Sequence, residues 1–279
     1  MKYLITGANG QLGQEIQKLL SERQLSFIAF DSHQLDITDR KKVMSTFEKE
    51  NPDVVLHAAA YTEVDAAEDE GREKNWQVNV EGTKNVADAS KKFGAKLVAV
   101  STDYVFDGTN LEEYQEDAAV NPKNAYGRAK LAGELAVIES KTDAYIIRTS
   151  WVFGEFGSNF VYTMQRLAEN HSKLTVVNDQ LGRPTWTRTL AEFMLYLIDS
   201  KSDTGIYHLS NDDTATWYEF AKEILKKTSV ELIPVTSAEF PQRAYRPGHS
   251  VMSLEKAKST GFEILSWQDA LEKFLLTVK

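Results

Sequence analysis

The chain has 279 residues, 42% of them apolar, enough to bury a core in one or two domains. Its formal net charge of −9 argues against nucleic acid or an anionic membrane as the main partner. It contains no cysteine, which excludes disulfides, thiolate metal sites and cysteine nucleophiles and fits a reducing compartment. The N-terminus has no apolar signal segment and no apolar run reaches spanning length, so a cytoplasmic protein is expected. His33, His57, His171, His208 and His249 show no ligand spacing, and no metal site is assigned.

In chain order, residues 3–6 read as a short buried strand. Gly7, Ala8, Asn9, Gly10, Gln11, Leu12 and Gly13 follow, and Leu12, Ile16, Leu19 and Leu20 then take helical spacing. Strand, glycine turn and helix in that order form a dinucleotide-binding unit. The glycines allow a tight turn, close approach to a pyrophosphate and close helix packing, although the spacing is G-x-x-G-x-x-G. Residues 26–30 predict a second strand ending at Asp31, placed to accept bonds from the adenosine ribose and so to favour NAD over NADP. Asp36 and Ile37 are expected beside the adenine. Thr38 and Asp39 start a helix whose apolar face is Val43, Met44 and Phe47.

Residues 54–56 predict a third strand, running into His57 and then Ala58, Ala59 and Ala60, whose small side chains leave room for a cofactor. His57 reads as a packed strand residue. The polar stretch from Tyr61 to Asp65 is expected to face substrate, and residues 76–92 to form one long helix carrying Asn79. Residues 96–100 form a fourth strand ending in Ser101 and Thr102, whose hydroxyls point into the ligand crevice of an open α/β sheet. A long polar loop, expected to be functional, leads to a helix with Tyr126 and Lys130 on one face. A free phenol forms its phenolate at pH 7 at a cost of roughly 4 kcal/mol. A cation one turn away lowers that cost and makes the tyrosine a usable acid or base.

Residues 144–148 predict a fifth strand. Beyond it the alternation loosens into helices at 160–170, 187–199, 217–227 and 267–276, strands at 174–177 and 205–209, and a basic loop at 241–248. The expected architecture is a Rossmann-type doubly wound parallel sheet with a smaller C-terminal substrate-binding α/β domain. A division is expected into residues 1–153, the cofactor-binding part, and 154–279, mainly substrate-binding with segments returning to the first core. A nicotinamide cofactor with a Tyr/Lys pair points to hydride transfer at a carbonyl, with Tyr126 as proton donor and Thr102 orienting the same oxygen.

The stretches from Thr6 to Gly13 and Tyr126-x-x-x-Lys130 resemble the extended short-chain dehydrogenase/reductases acting on nucleotide sugars. Residues 101–108, 148–154 and 182–185 narrow the likeness, and the whole chain resembles the dTDP-4-dehydrorhamnose reductase family. That resemblance implies reduction of a dTDP-4-keto-6-deoxysugar by NADPH or NADH, giving the donor for surface polysaccharides. It implies a catalytic trio of Thr102, Tyr126 and Lys130, the last two also touching cofactor, and sugar contacts from Thr62, Asp103, Tyr104 and Trp151. It assigns the nucleotide to Gly182, Arg183, Pro184, Thr185 and Arg246, with arginine suited to the diphosphate. Some members are magnesium-linked homodimers held through glutamates. Glu15 lies where one would fall, but a surface helix glutamate is the commoner explanation, and no metal is assigned. The competing readings are a cofactor-binding regulatory subunit like the methionine adenosyltransferase β-subunit, and another nucleotide-sugar epimerase or dehydratase. The single carboxylate in Asp103-Tyr104 weighs against a dehydratase.

Overall fold

Short strands that are apolar at consecutive positions need cover on both faces, and the computed structural model, which describes residues 1–278, supplies it with helices on either side of one sheet. The first half runs β1 (Tyr3–Thr6), α1 (Gln11–Glu22), β2 (Phe27–Phe30), α2 (Arg40–Glu50), β3 (Val54–His57), α3 (Arg72–Trp76), α4 (Thr83–Phe93), β4 (Lys96–Thr102), α5 (Ala125–Ser140) and β5 (Ala144–Thr149). The second half adds β6 (Val152–Phe153), α6 (Phe160–Asn170), β7 (Lys173–Val177), β8 (Leu181–Gly182), β9 (Thr185–Trp186) and α7 (Thr187–Asp199). It ends with β10 (Gly205–His208), β11 (Ala215–Thr216), α8 (Trp217–Ile224), β12 (Glu231–Val235), α9 (Glu255–Ser259) and α10 (Trp267–Thr277).

Six parallel strands form the central sheet in the order β10-β5-β4-β3-β1-β2. Tyr3 and Ile5 pack with Ile16, Leu19 and Leu20 of α1 and with Leu190, Phe193 and Leu197 of α7. Leu4, Val55 and Leu97 point the other way, onto Val43 and Phe47 of α2 and Val86 of α4. The connections leave β1 in one direction and return to β3 on its other side. The carboxyl ends of β1 and β3 therefore mark the switch point where open α/β sheets bind ligands. A separate core around Phe153, Met164, Phe220, Trp267 and Phe274 organises the rest of the second half.

Two expectations are corrected. The helix expected over 76–92 is interrupted by a π-helical turn, Gln77–Gly82, between α3 and α4. The helix expected to reach 227 ends at Ile224. Strand β12 has no counterpart in the sequence reading; it pairs in parallel with β7 through the register Leu232 to Leu174.

Candidate active site

The glycine turn comes first. Gly7 has φ +72, a left-handed conformation that strains any side chain, and a Cβ there would stand 2.6 Å from the Ala59 nitrogen. A Cβ on Gly13 would stand 2.1 Å from the Gly7 carbonyl oxygen, so α1 lies as near to β1 as backbone permits. Gly10 precedes α1 and offers no side-chain cap, which leaves the first amides of that helix free to receive an anion. Donors at a helix N-terminus beside the switch point fit the pyrophosphate of a dinucleotide. Asp31, at the end of β2, accepts from the side-chain amide of Asn9 at 2.7 Å and from the amides of His33 and Gln34. Those bonds, the Gln34 amide first, hold its carboxyl below the usual range. Gln11 reaches the other way, accepting from Asn159 at 3.1 Å. Leu12 packs against the α1-side core. Ala58 and Ala59 are half-buried beyond β3, and Ala60 is exposed there.

Three residues expected beside the cofactor have partners within the protein. Asn79, in the π-helical turn, accepts from the Tyr61 amide at 3.1 Å and donates to the Tyr61 carbonyl at 2.9 Å, so it fixes the chain after β3. Ile37 is buried against Gly82 and its carbonyl is taken by Asn85; its neighbour Asp36 is exposed and caps Thr38.

Thr102 sits at the end of β4, with Asp103 and Tyr104 in the short 3-10 turn that follows. Its hydroxyl donates to Asp103 Oδ1 at 3.0 Å and accepts from the Tyr104 amide at 3.2 Å. Helix α5 is aimed at this point by its N-cap, Asn124, whose side chain accepts from the Gly127 amide and donates to the Tyr245 carbonyl. Tyr126 then packs edge-on to Tyr104, ring centroids 6.1 Å apart. Lys130, one turn on, is buried and donates to the Val100 carbonyl at 2.7 Å.

Burial sets the electrostatics. It pushes the Asp103 carboxyl up to about 6, against hydrogen bonds from Ser250 and Thr102. It brings the Lys130 ammonium down to about 8, with Glu134 opposing. It raises the Tyr126 phenol, as does the charge of Asp103, while a Thr102 hydrogen bond acts the other way. Desolvation outweighs any lowering by a neighbouring cation, and the phenol holds its proton. His57 is neutral, lowered to about 3 by burial and by the charge of Lys130, and lies between Thr6 and Thr83 hydroxyls.

Next to Tyr104 opens a cavity of about 560 Å³, lined by Phe160, Met164, Val177, Gln180, Trp217 and Arg246 among others. Arg246 pairs with Asp65 at 2.7 Å and lies over the Tyr104 ring. Trp151 has a left-handed backbone, φ +48, and its indole stacks on Trp217, centroids 3.7 Å apart and planes 12° apart. Gly182 lies directly under the Trp151 indole. Thr62 is exposed on the connection after β3.

The other residues assigned to the nucleotide have partners within the protein. Arg183 is buried, donating to the Met252 carbonyl and to Glu113 at 2.7 Å, so its guanidinium is spent on holding two loops. The Pro184 carbonyl accepts from Asn211, and Thr185 is buried against Thr149. Gln180, Phe160 and Trp217 escaped the sequence reading. The aromatic pair had one signal: each is the first residue of its helix, where a side chain can project past the core-facing stripe. Glu15 is not the surface glutamate of the bland reading; it is buried, accepting from Thr187 at 3.2 Å and lying 3.6 Å from Arg188. Among the described residues no group of three or more His, Cys, Asp or Glu is placed to hold a metal ion, and no helix is long and apolar enough to cross a membrane.

Compared with known proteins, residues 1–279 match the family described as the RmlD substrate binding domain. The chain is 40% identical to the spore coat polysaccharide biosynthesis protein SpsK of Bacillus subtilis (strain 168), over 98% of this chain and 96% of that one. Among solved structures, a dTDP-4-dehydrorhamnose reductase of Clostridium acetobutylicum ATCC 824 is 41% identical with a TM-score of 0.96, covering 100% of this chain and 99% of that one. The dTDP-4-dehydrorhamnose reductase of Bacillus anthracis str. Ames, solved in complex with NADP, is 40% identical with a TM-score of 0.95 and covers 99% of each.

Proposed function

The chain belongs to the dTDP-4-dehydrorhamnose reductase family, and from that premise we propose that it reduces the C4 keto group of dTDP-4-dehydro-L-rhamnose to give dTDP-L-rhamnose. The observation that carries this reading is the placement of three features at the carboxyl end of the sheet. They are the open amides of α1, the Thr102–Tyr126–Lys130 group, and an aromatic cavity with an arginine at its mouth. Residues 1–153 would hold cofactor and residues 154–279 mainly the nucleotide sugar, with β10 and α7 returning to the first core.

Reduced nicotinamide, when bound, supplies the hydride. Tyr126 gives its phenolic proton to the sugar oxygen as negative charge develops there, and its raised proton affinity keeps it in the donor form until then. Thr102 turns its hydroxyl from Asp103 to the same oxygen and orients it. Lys130 places a buried cation behind Tyr126, which favours the phenolate left after transfer. Trp151 and Trp217 offer an apolar wall, and Arg246 meets the diphosphate, exchanging Asp65 for it. Asp31 is engaged by Asn9 and the turn amides rather than projecting bare charge, and the Bacillus anthracis relative was solved with NADP. We therefore read the enzyme as accepting both NADH and NADPH in the cytoplasm.

The test is oxidation of each cofactor, followed by absorbance, with dTDP-4-dehydro-L-rhamnose generated in place. Stoichiometric oxidation with appearance of dTDP-L-rhamnose is expected. Tyr126→Phe should keep cofactor binding and lose about 100-fold or more in turnover. No oxidation of either cofactor by the wild-type chain would move the reading to a binding subunit.

A further inference from the structure

A buried lysine keeps its charge only where an opposite charge offsets the lost hydration. Lys130 has one hydrogen-bond partner among the described residues, the Val100 carbonyl, which carries no charge. One helical turn on lies Glu134, also buried. The two side chains line the same small chamber between α5 and β4, about 10 Å³ in volume, shared with Asn79, Thr83 and Ser101. That is about the room of a single water. The Ser101 hydroxyl is buried there without a hydrogen-bond partner. Behind the chamber, Arg148 of β5 grips Glu134 through Nε at 3.0 Å and a terminal nitrogen at 2.8 Å, with both side chains almost wholly enclosed. Arg148 is held in turn by the Glu116 carbonyl and the face of Phe106.

Resting on the reading of Lys130 as the cation behind Tyr126, we propose that Glu134, clamped by Arg148, is a positioning residue that keeps Lys130 charged across this chamber. The other titratable groups in the neighbourhood do not replace it. His57 of β3 is neutral, and Tyr126 on α5 is a protonated phenol whose charge balance answers to Asp103 at the end of β4. Beyond the clamp, His208 of β10 is also neutral, 3.5 Å from Arg148, and Glu116 accepts from the His208 amide. Among the described residues, Glu134 is the carboxylate whose charge supports the Lys130 ammonium. The arginine fixes the carboxylate in place, and the chamber admits one water to link it to Lys130 and Ser101.

The test is direct titration of Lys130 by NMR in the full chain carrying lysine labelled with ¹³C at Cε, its signal assigned by its loss in Lys130→Arg. Glu134→Gln should lower the Lys130 midpoint by about one pH unit or more. Glu134→Asp should restore most of it. Breaking a buried pair can prevent folding, so Glu134→Gln with Arg148→Met is made as well. It removes the Arg148 charge that Glu134→Gln alone would strand, and should move the Lys130 midpoint the same way. In the sugar-reduction assay, the Glu134→Gln rate relative to wild type should fall about fivefold between pH 6 and pH 8, whereas a merely structural loss would be the same at both. An unmoved midpoint in both variants overturns the proposal even if the chain reduces the sugar. A shifted midpoint in a chain that oxidises neither cofactor upholds it and removes the reductase reading alone.

Discussion

Asp103 shows how one residue can be a cost to the fold and a part of the site. Its carboxyl is buried, with one oxygen lacking a partner, and it holds its proton up to about pH 6. The unfolded chain releases that proton near pH 3.9. Between those values the folded chain binds more protons than the unfolded one, so stability falls as pH rises through the window and stays lower above it. Asp103→Asn should therefore raise stability at pH 7.5 by up to about 3 kcal/mol, with little change at pH 4, while turnover falls. Urea unfolding at the two pH values measures the first effect; an equal gain at both would refute the burial argument. The Tyr126 and Lys130 pair was legible because its spacing is local: four residues on a helix fix the face. Arg183 was not legible as a structural residue. Its partners Met252 and Glu113 lie 69 and 70 residues away in sequence, and nothing nearby in the chain says that its charge is already taken.

At the scale of elements, apolar periodicity found the helix after Trp76 but not the π-helical turn inside it, because one inserted residue shifts the pattern without erasing it. The turn matters for packing. It presents the Asn79 carbonyl to α5, where a Cβ on Gly133 would stand 2.4 Å from that oxygen. Gly133→Ala gains about 1 kcal/mol of helix propensity. The clash is with backbone and cannot be relieved by a rotamer change, and overpacking of this kind costs about 1–3 kcal/mol. The substitution should be neutral to destabilising, seen as an unchanged or lower urea midpoint; a clear rise would show that α5 can slide away from the turn. Strand β12 was missed for a different reason. Pro234 interrupts its pattern, and its exposed Glu231 and Pro234 read as loop, although an edge strand tolerates both.

For the whole molecule, the parallel βα alternation was legible in the first half, where each strand is followed closely by its helix. Position within the sheet is a tertiary choice: the strand at 205–208 was readable, while its place beside β5 depends on α7 having first crossed the sheet. Because α7 covers the face that includes Ile5, Leu56 and Val98, the first half has no complete core without the second. Calorimetry of the full chain should accordingly show a single transition, and a fragment of residues 1–153 should show none. Two resolved transitions, or a cooperatively folding fragment, would contradict that dependence.

The stacked indoles have a consequence for watching the molecule. Two tryptophans overlapped at 3.7 Å share their electronic excitations, so the pair should give a bisignate circular dichroism band that isolated indoles lack. Trp217 lines the cavity beside Tyr104, while Trp151 follows β5. Any ligand that parts or tilts the rings rewrites that band, and the chain carries its own label-free dye for occupancy of the cavity beside Tyr104.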